Sequence, residues 1–148
     1  MLITFLCMES VAWLAHKYLM HGFLWFLHED HHQRDDQNFF EKNDFFFLIF
    51  AIPAIILMYL GIYQGFPYVL WIGAGITIYG AAYFLIHDVF IHRRFKWLRN
   101  ADSPYFRAIR RAHKMHHKHL GKHHGECFGM LWVPMKYYKE SLNPKRTK

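Results

Sequence analysis

Two copies of one histidine pattern run through this chain: His16-x4-His21 followed by His28-x2-His31-His32, then His87-x4-His92 followed by His113-x2-His116-His117. Ten of the 13 histidines fall in these four boxes. Neutral imidazole is the commonest protein metal ligand, and ten imidazoles can hold two ions with positions left open for chemistry. The blander reading, histidines in solubilising loops or satisfied in a core, accounts for one box but not for an ordered duplicate of two. The residues point to a membrane-embedded dinuclear metal site.

Spacing says how the boxes sit on their elements. At about 100° per residue, H-x-x-H-H puts its imidazoles at i, i+3 and i+4, neighbours on one helical face. Asp102-Ser103-Pro104 reads as a helix start, a capping serine followed by proline in the first turn. On that helix Phe106 and Ile109 share a face with His113, His116 and His117, while Arg107, Arg111, Lys114 and Lys118 fall opposite and Arg110 lies at the border. One face covers metals; the other meets water or headgroups. In H-x4-H the two rings lie about 140° and 7.5 Å apart on an α-helix. Such a pair is expected to serve two metals, or to straddle a helix end near Gly22. His119, His123 and His124 lie outside the boxes, as outer groups or without a role. Glu29-x-x-His32 matches an element of soluble carboxylate-bridged bundles but has no second copy, so it reads as coincidence.

The elements that must carry these boxes are apolar. Mean hydropathy is near zero, yet Phe, Trp and Tyr make up 20% of the chain and the apolar residues are blocked together. Residues 45–63 and 68–86 contain no charge, and each approaches the roughly 20 residues that a helix needs to cross the hydrocarbon core. A first span over about residues 2–21 is expected to continue as helix through the first box, since 15 apolar residues alone rise only about 22 Å; a locally thinned bilayer would serve equally. Glu9 interrupts its apolar run, which argues against a cleavable leader. Gly73, Thr77 and Ala81 form a small-residue stripe suited to close packing in lipid, and Pro53 is expected to kink its span. Cys7 and Cys127 have no metal or redox spacing, as in a reducing compartment.

The expected fold is therefore all-α and integral to the membrane. It has about three to four transmembrane helices, a metal-binding region over residues 87–138 and a charged tail over 139–148, all in one domain spanning residues 1–148. From Arg93 to Lys148 there are 15 Lys and Arg against 3 Asp and Glu, whereas His28 to Asp44 carries 2 basic and 6 acidic residues. The positive-inside bias puts the basic end in the cytoplasm. An isoelectric point near 9.5 could suggest nucleic acid, but no nucleic-acid motif accompanies it, and anionic lipid explains it more simply. If the first span runs inward, the hairpin of the next two returns the chain to the same side. All ten histidines can then converge at one cytoplasmic face.

The four boxes, in this order, resemble the bacterial β-carotene 3-hydroxylases of the fatty acid hydroxylase superfamily, membrane non-haem di-iron oxygenases. Phe40-Glu41-Lys42-Asn43-Asp44, His87-Asp88-Val89-Phe90-Ile91-His92-Arg93-Arg94-Phe95 and Phe128-Gly129 reinforce the likeness, which covers about Glu9 to Tyr138. The short first span and the His123-His124 pair depart from it. The resemblance implies two iron ions on His16, His21, His28, His31, His32, His87, His92, His113, His116 and His117, with no catalytic residue outside these ligands.

The implied reaction is O2-dependent hydroxylation of β-carotene at C3 of its β-ionone rings, through β-cryptoxanthin to zeaxanthin, in the bacterial inner membrane. Zinc in purified protein is compatible with this, because it outcompetes ferrous iron at nitrogen sites. The electrons must come from an external reductant, since the chain has neither a dinucleotide fingerprint nor a four-cysteine cluster spacing. A soluble donor such as ferredoxin would dock on the basic tail. The competing readings are a fatty acid or sterol hydroxylase or desaturase of the same metal class, and a non-enzymatic metal-binding membrane protein.

Overall fold

The computed structural model of the chain describes residues 1–33 and 39–142, and the regular secondary structure among them is all helical. The end of the charged tail, 143–148, and part of the acidic loop, 34–38, lie outside the described residues. Helix α1 (Leu2–Leu14) runs without a break into a π-helical segment, Ala15–Phe23, that carries the first box. The path bends at Gly22, whose φ of −105° and ψ of −126° leave the helical region. Helix α2 (Trp25–His32) then carries the second box.

A single 3₁₀ turn, Lys42–Asp44, leads into α3 (Phe45–Tyr63), which continues past Pro53. Gly65, at φ +74°, makes the tight return, and Pro67 opens α4 (Pro67–Phe84) at a position where its missing N–H costs nothing. A second π-helical segment, Leu85–Ile91, extends α4 and carries the third box up to its cap, His92. The residues of α3 and α4 with their extensions are the two helices long and apolar enough to cross a membrane among the described residues.

Glycines set how closely these helices approach. A Cβ on Gly73 would come 2.9 Å from the carbonyl of Ala54 in α3, and one on Gly61 2.6 Å from the backbone N of Leu70. On another side of α4, a Cβ on Gly75 would lie 2.6 Å from Thr4 Cβ of α1. The packing positions are thus Gly61, Gly73 and Gly75. Of the other two stripe positions, Thr77 is exposed yet reaches the Met58 sulfur of α3 at 3.5 Å, and Ala81 is exposed. The outer surface is correspondingly apolar: Leu2, Ile3 and Leu6 of α1, Phe47, Ile52, Ile55 and Ile62 of α3, and Trp71 and Ile78 of α4 are exposed.

Helix α5 (Pro104–His116) starts as expected, with the Ser103 hydroxyl oxygen accepting from the Phe106 N–H at 3.2 Å. It packs on α6 (Met135–Leu142) through a small core of Ala108, Ile109, Ala112, Val133 and Tyr137. Ile109, His113 and His116 are buried while Arg111, Lys114 and Lys118 are exposed, so the helix faces the way its sequence pattern predicts. Between α5 and α6, residues 118–134 form an irregular strap that crosses back over α1 and the first π segment.

Candidate metal centre

All ten boxed histidines come together where the first π segment, α2, the second π segment and α5 meet. They fall into two clusters. In the first, the nearest ring nitrogens of His16, His21, His28, His32 and His116 all lie within 4.8 Å of one another. In the second, those of His31, His92, His113 and His117 do the same, and His87 joins them with its Nε2 3.0 Å from His31 Nε2. The clusters adjoin, with the rings of His32 and His117 stacked 4.5 Å apart.

This arrangement corrects the expectation that each H-x4-H pair serves two metals. His16 and His21 belong to one cluster, their rings 5.3 Å apart, and His87 and His92 are 4.5 Å apart. The cause is the π turn, whose i→i+5 hydrogen bonds stack residues five apart instead of fanning them round the helix. The His92 N–H donates to the His87 carbonyl at 2.9 Å, which is such a bond. In the H-x-x-H-H boxes, the i and i+4 histidines stay together and the middle one crosses over. His31 goes to the cluster built by the second pair of boxes, and His116 to the cluster built by the first. Each cluster thus takes four histidines from one half of the chain and one from the other.

The other ring nitrogens are held from outside. Four imidazoles of the first cluster donate through Nδ1 to carbonyls of the strap: His16 to Phe128 at 3.0 Å, His21 to Lys122 at 3.0 Å, His32 to His119 at 2.9 Å and His116 to Glu126 at 2.9 Å. The fifth, His28, donates to Asn43 Oδ1 at 2.7 Å. Two members of the second cluster meet carboxylates instead, His31 with Glu41 at 2.7 Å and His87 with Asp88 at 3.3 Å. Arg94 braces this side, bonding both oxygens of Asp44 at 2.8 Å and Asp88 at 2.7 Å and donating to the Phe39 carbonyl. Asp44, then Asp88, hold the guanidinium firmly charged.

These partners decide the tautomer. An oxygen that only accepts forces the proton onto Nδ1, so Nε2 presents a lone pair inward. Yet His16 and His28 face each other Nε2 to Nε2 at 3.2 Å, as do His21 and His116 at 3.2 Å. Two lone pairs at that distance need a cation between them. Nitrogens bound at right angles to one ion at about 2.1 Å would be about 3 Å apart. Buried Nε2 atoms of His32 and His117 have no hydrogen-bond partner, a costly omission unless something else satisfies them. Burial also keeps the rings neutral: it holds the His28 imidazole at about 2, His116 at about 3 and His32 at about 4, and drives His31, His113 and His117 well below the usual value. The donor set fits two soft-to-borderline metal ions of the first transition row.

Of the three other histidines, His123 and His124 are exposed, and His119 contributes its backbone carbonyl. Sequence reasoning assigned no role to Glu41, Asn43, Asp44, Asp88 or Arg94, although the segments that hold them carry the resemblance. It also read Glu9 only as an interruption. The strap carbonyls leave no residue-type signal at all.

The sequence model of the fatty acid hydroxylase family matches residues 1–135. A β-carotene hydroxylase of Pantoea ananas is 41% identical over 132 residues, which cover 89% of this chain and 74% of that protein. One from Paracoccus sp. (strain PC1) is 39% identical, covering 88% and 80% respectively. A chloroplastic β-carotene 3-hydroxylase of Gentiana lutea is 42% identical, covering 86% of this chain but 40% of its own. No solved structure matches the chain. With its apolar helix pair and its buried histidine clusters, the chain belongs to the fatty acid hydroxylase family of membrane proteins.

Proposed function

We propose that the chain hydroxylates β-carotene at C3 of the β-ionone rings, yielding β-cryptoxanthin and then zeaxanthin, with two iron ions held by the ten boxed histidines. The observation that carries this is the pair of adjoining five-histidine clusters, in a chain whose relatives from bacteria and plants bear the name β-carotene hydroxylase. Bound there, iron supplies the redox chemistry that turns O2 into an oxidant for an unactivated C–H bond. The chain supplies the rest: neutral rings whose tautomers are set from outside, and apolar walls that keep water away.

The substrate is an apolar rod that lies within the bilayer. Leu27, Phe45, Leu48, Ile49, Ile52 and Pro53 line an apolar groove of about 530 Å³ between α2, which carries the second box, and α3. We assign the ring that reacts to this side of the centre. α1 with its π extension is the third crossing, and the whole of residues 1–148 forms one hydroxylase domain. The bilayer is the bacterial inner membrane, with metals and carboxyl terminus in the cytoplasm, and an acidic soluble carrier such as ferredoxin delivers the electrons. Zinc can replace iron during purification.

Pigment analysis of a β-carotene-producing host that expresses the chain tests the reading. β-Cryptoxanthin and zeaxanthin should appear, and His116→Ala should abolish them. His119→Ala should not, because only its backbone is used. Unchanged β-carotene in cells whose membranes hold the metal-loaded protein would overturn the substrate assignment.

A further inference from the structure

Glu9 is an ionisable residue inside an apolar helix, a position that is expensive in lipid and therefore calls for a specific partner. Its partners are unusual. Oε1 accepts from three successive backbone amides of the strap, Met130 at 2.9 Å, Leu131 at 3.0 Å and Trp132 at 3.0 Å. Successive N–H groups converging on one oxygen form an anion-binding nest. Oε2 accepts from the Tyr79 hydroxyl of α4 at 2.7 Å. Gly129 permits the closure, because a Cβ there would lie 2.6 Å from the Trp132 carbonyl and 3.1 Å from Glu9 Oε1.

The nest anchors the end of the strap that meets the metals. One residue before Gly129, the Phe128 carbonyl accepts a hydrogen bond from His16 Nδ1–H, and the Phe128 ring lies 5.4, 5.2 and 5.3 Å from those of His16, His21 and His116. Upstream, the backbone carbonyls of Glu126, Lys122 and His119 accept hydrogen bonds from Nδ1–H of His116, His21 and His32. His124 and Cys127 hold left-handed backbone at φ +67° and +62°, which such residues keep only where the surroundings demand it. The strap has no regular hydrogen-bond ladder of its own, so its shape depends on what fastens it.

We propose that Glu9 is the positioning residue of the first histidine cluster: by clamping the amides of Met130, Leu131 and Trp132 to α1, it holds the strap carbonyls that orient His16, His21, His32 and His116. Its own hydrogen bonds do not reach the second cluster, where Glu41 and Asp88 orient His31 and His87 and Arg94 braces Asp88. The inference rests on reading the boxed histidines as metal ligands, and it makes the two metal positions separable by one residue outside both.

The test compares wild type, Glu9→Leu, Glu9→Gln and Tyr79→Phe, each purified full-length in detergent. Hydrogen exchange of the Met130, Leu131 and Trp132 amides is followed in metal-free protein, and tightly bound metal per chain after reconstitution with ferrous iron. Glu9→Leu should lose the amide protection and bind one metal in place of two. Tyr79→Phe, which leaves Oε1 and its three amides in place, should keep both. Glu9→Gln retains an acceptor without its charge, so the three amides should exchange roughly tenfold faster with both metals kept. If Glu9→Leu does not insert, unaltered exchange in Glu9→Gln overturns the proposal, and accelerated exchange confined to the three amides supports it. Two tightly bound metals in Glu9→Leu, or equal loss in Tyr79→Phe, overturn it as well. Wild type that takes up no metal would instead sink the ligand assignment, and the exchange measurements would still judge the clamp.

Discussion

An imidazole can hold a metal through one nitrogen only as well as its other nitrogen is held, and the two clusters solve this differently. Backbone carbonyls and the Asn43 amide, all neutral, serve the first, while the carboxylates of Glu41 and Asp88 serve the second. A carboxylate partner raises the basicity of a ligating histidine. Glu41→Gln keeps the shape and removes the charge from the 2.7 Å contact with His31. It should weaken one of the two metals by roughly 10- to 100-fold, the usual cost of losing such a partner, and leave the other unchanged. Chelator competition reads this as two release phases of which one moves; parallel loss of both metals would contradict the asymmetry.

At the scale of elements, the π segments and the glycine contacts decide whether boxes from opposite halves can meet. Gly75 lets α1 approach α4, and α1 runs into the π segment that carries the first box. Gly75→Val should force the helices apart at a cost of about 1–3 kcal/mol and displace His16, whereas Gly80→Val, with open space at its Cβ, should be tolerated. Thermal unfolding midpoints in one detergent distinguish them. The exposed side of α5 raises a different matter. Arg107 bonds Asp102 at 2.9 Å and the Ser141 carbonyl at 3.2 Å, and Arg111 pairs with Glu140 of α6, so these two arginines serve the fold. Lys114 and Lys118 remain exposed beside the centre. The double change to Gln should leave metal content intact but slow turnover when an acidic electron donor is limiting, the deficit shrinking as donor is added. Metal loss in step with activity would show that this face supports the histidines instead.

The whole molecule buries a stack of neutral imidazoles, which makes its metal-free form sensitive to acid. Unfolded, these groups titrate near 6.5; folded, burial holds His32 at about 4, His116 at about 3 and His28 at about 2. Below about 6.5 the unfolded chain binds more protons than the folded one, so the stability is fully present above that pH and is lost as pH falls through the folded values. The metal-free protein should therefore unfold at a lower temperature at pH 5 than at pH 8 in the same detergent. Equal midpoints would mean that the histidines are not buried as described.

Much of the centre was legible in the chain itself. Four boxes name ten nitrogen donors, the i, i+3, i+4 spacing puts three of them on one side of α5, and Ser103-Pro104 sets where that helix begins. Two charge-free runs of helical length read as a hairpin of two apolar helices, the one that α3 and α4 form. Composition and local periodicity carry this information because they follow from single helices meeting lipid or water. How the donors divide does not. The exchange of His31 and His116 between clusters depends on where folding sets α2 and α5 around the centre, and the pairing of His16 with His21 on a π turn in place of an α turn. The carboxylate of Glu9 reads along the chain as a flaw in an apolar helix. Only folding brings it within reach of amides more than a hundred residues away, because hydrogen bonds from an irregular backbone leave no trace in residue type.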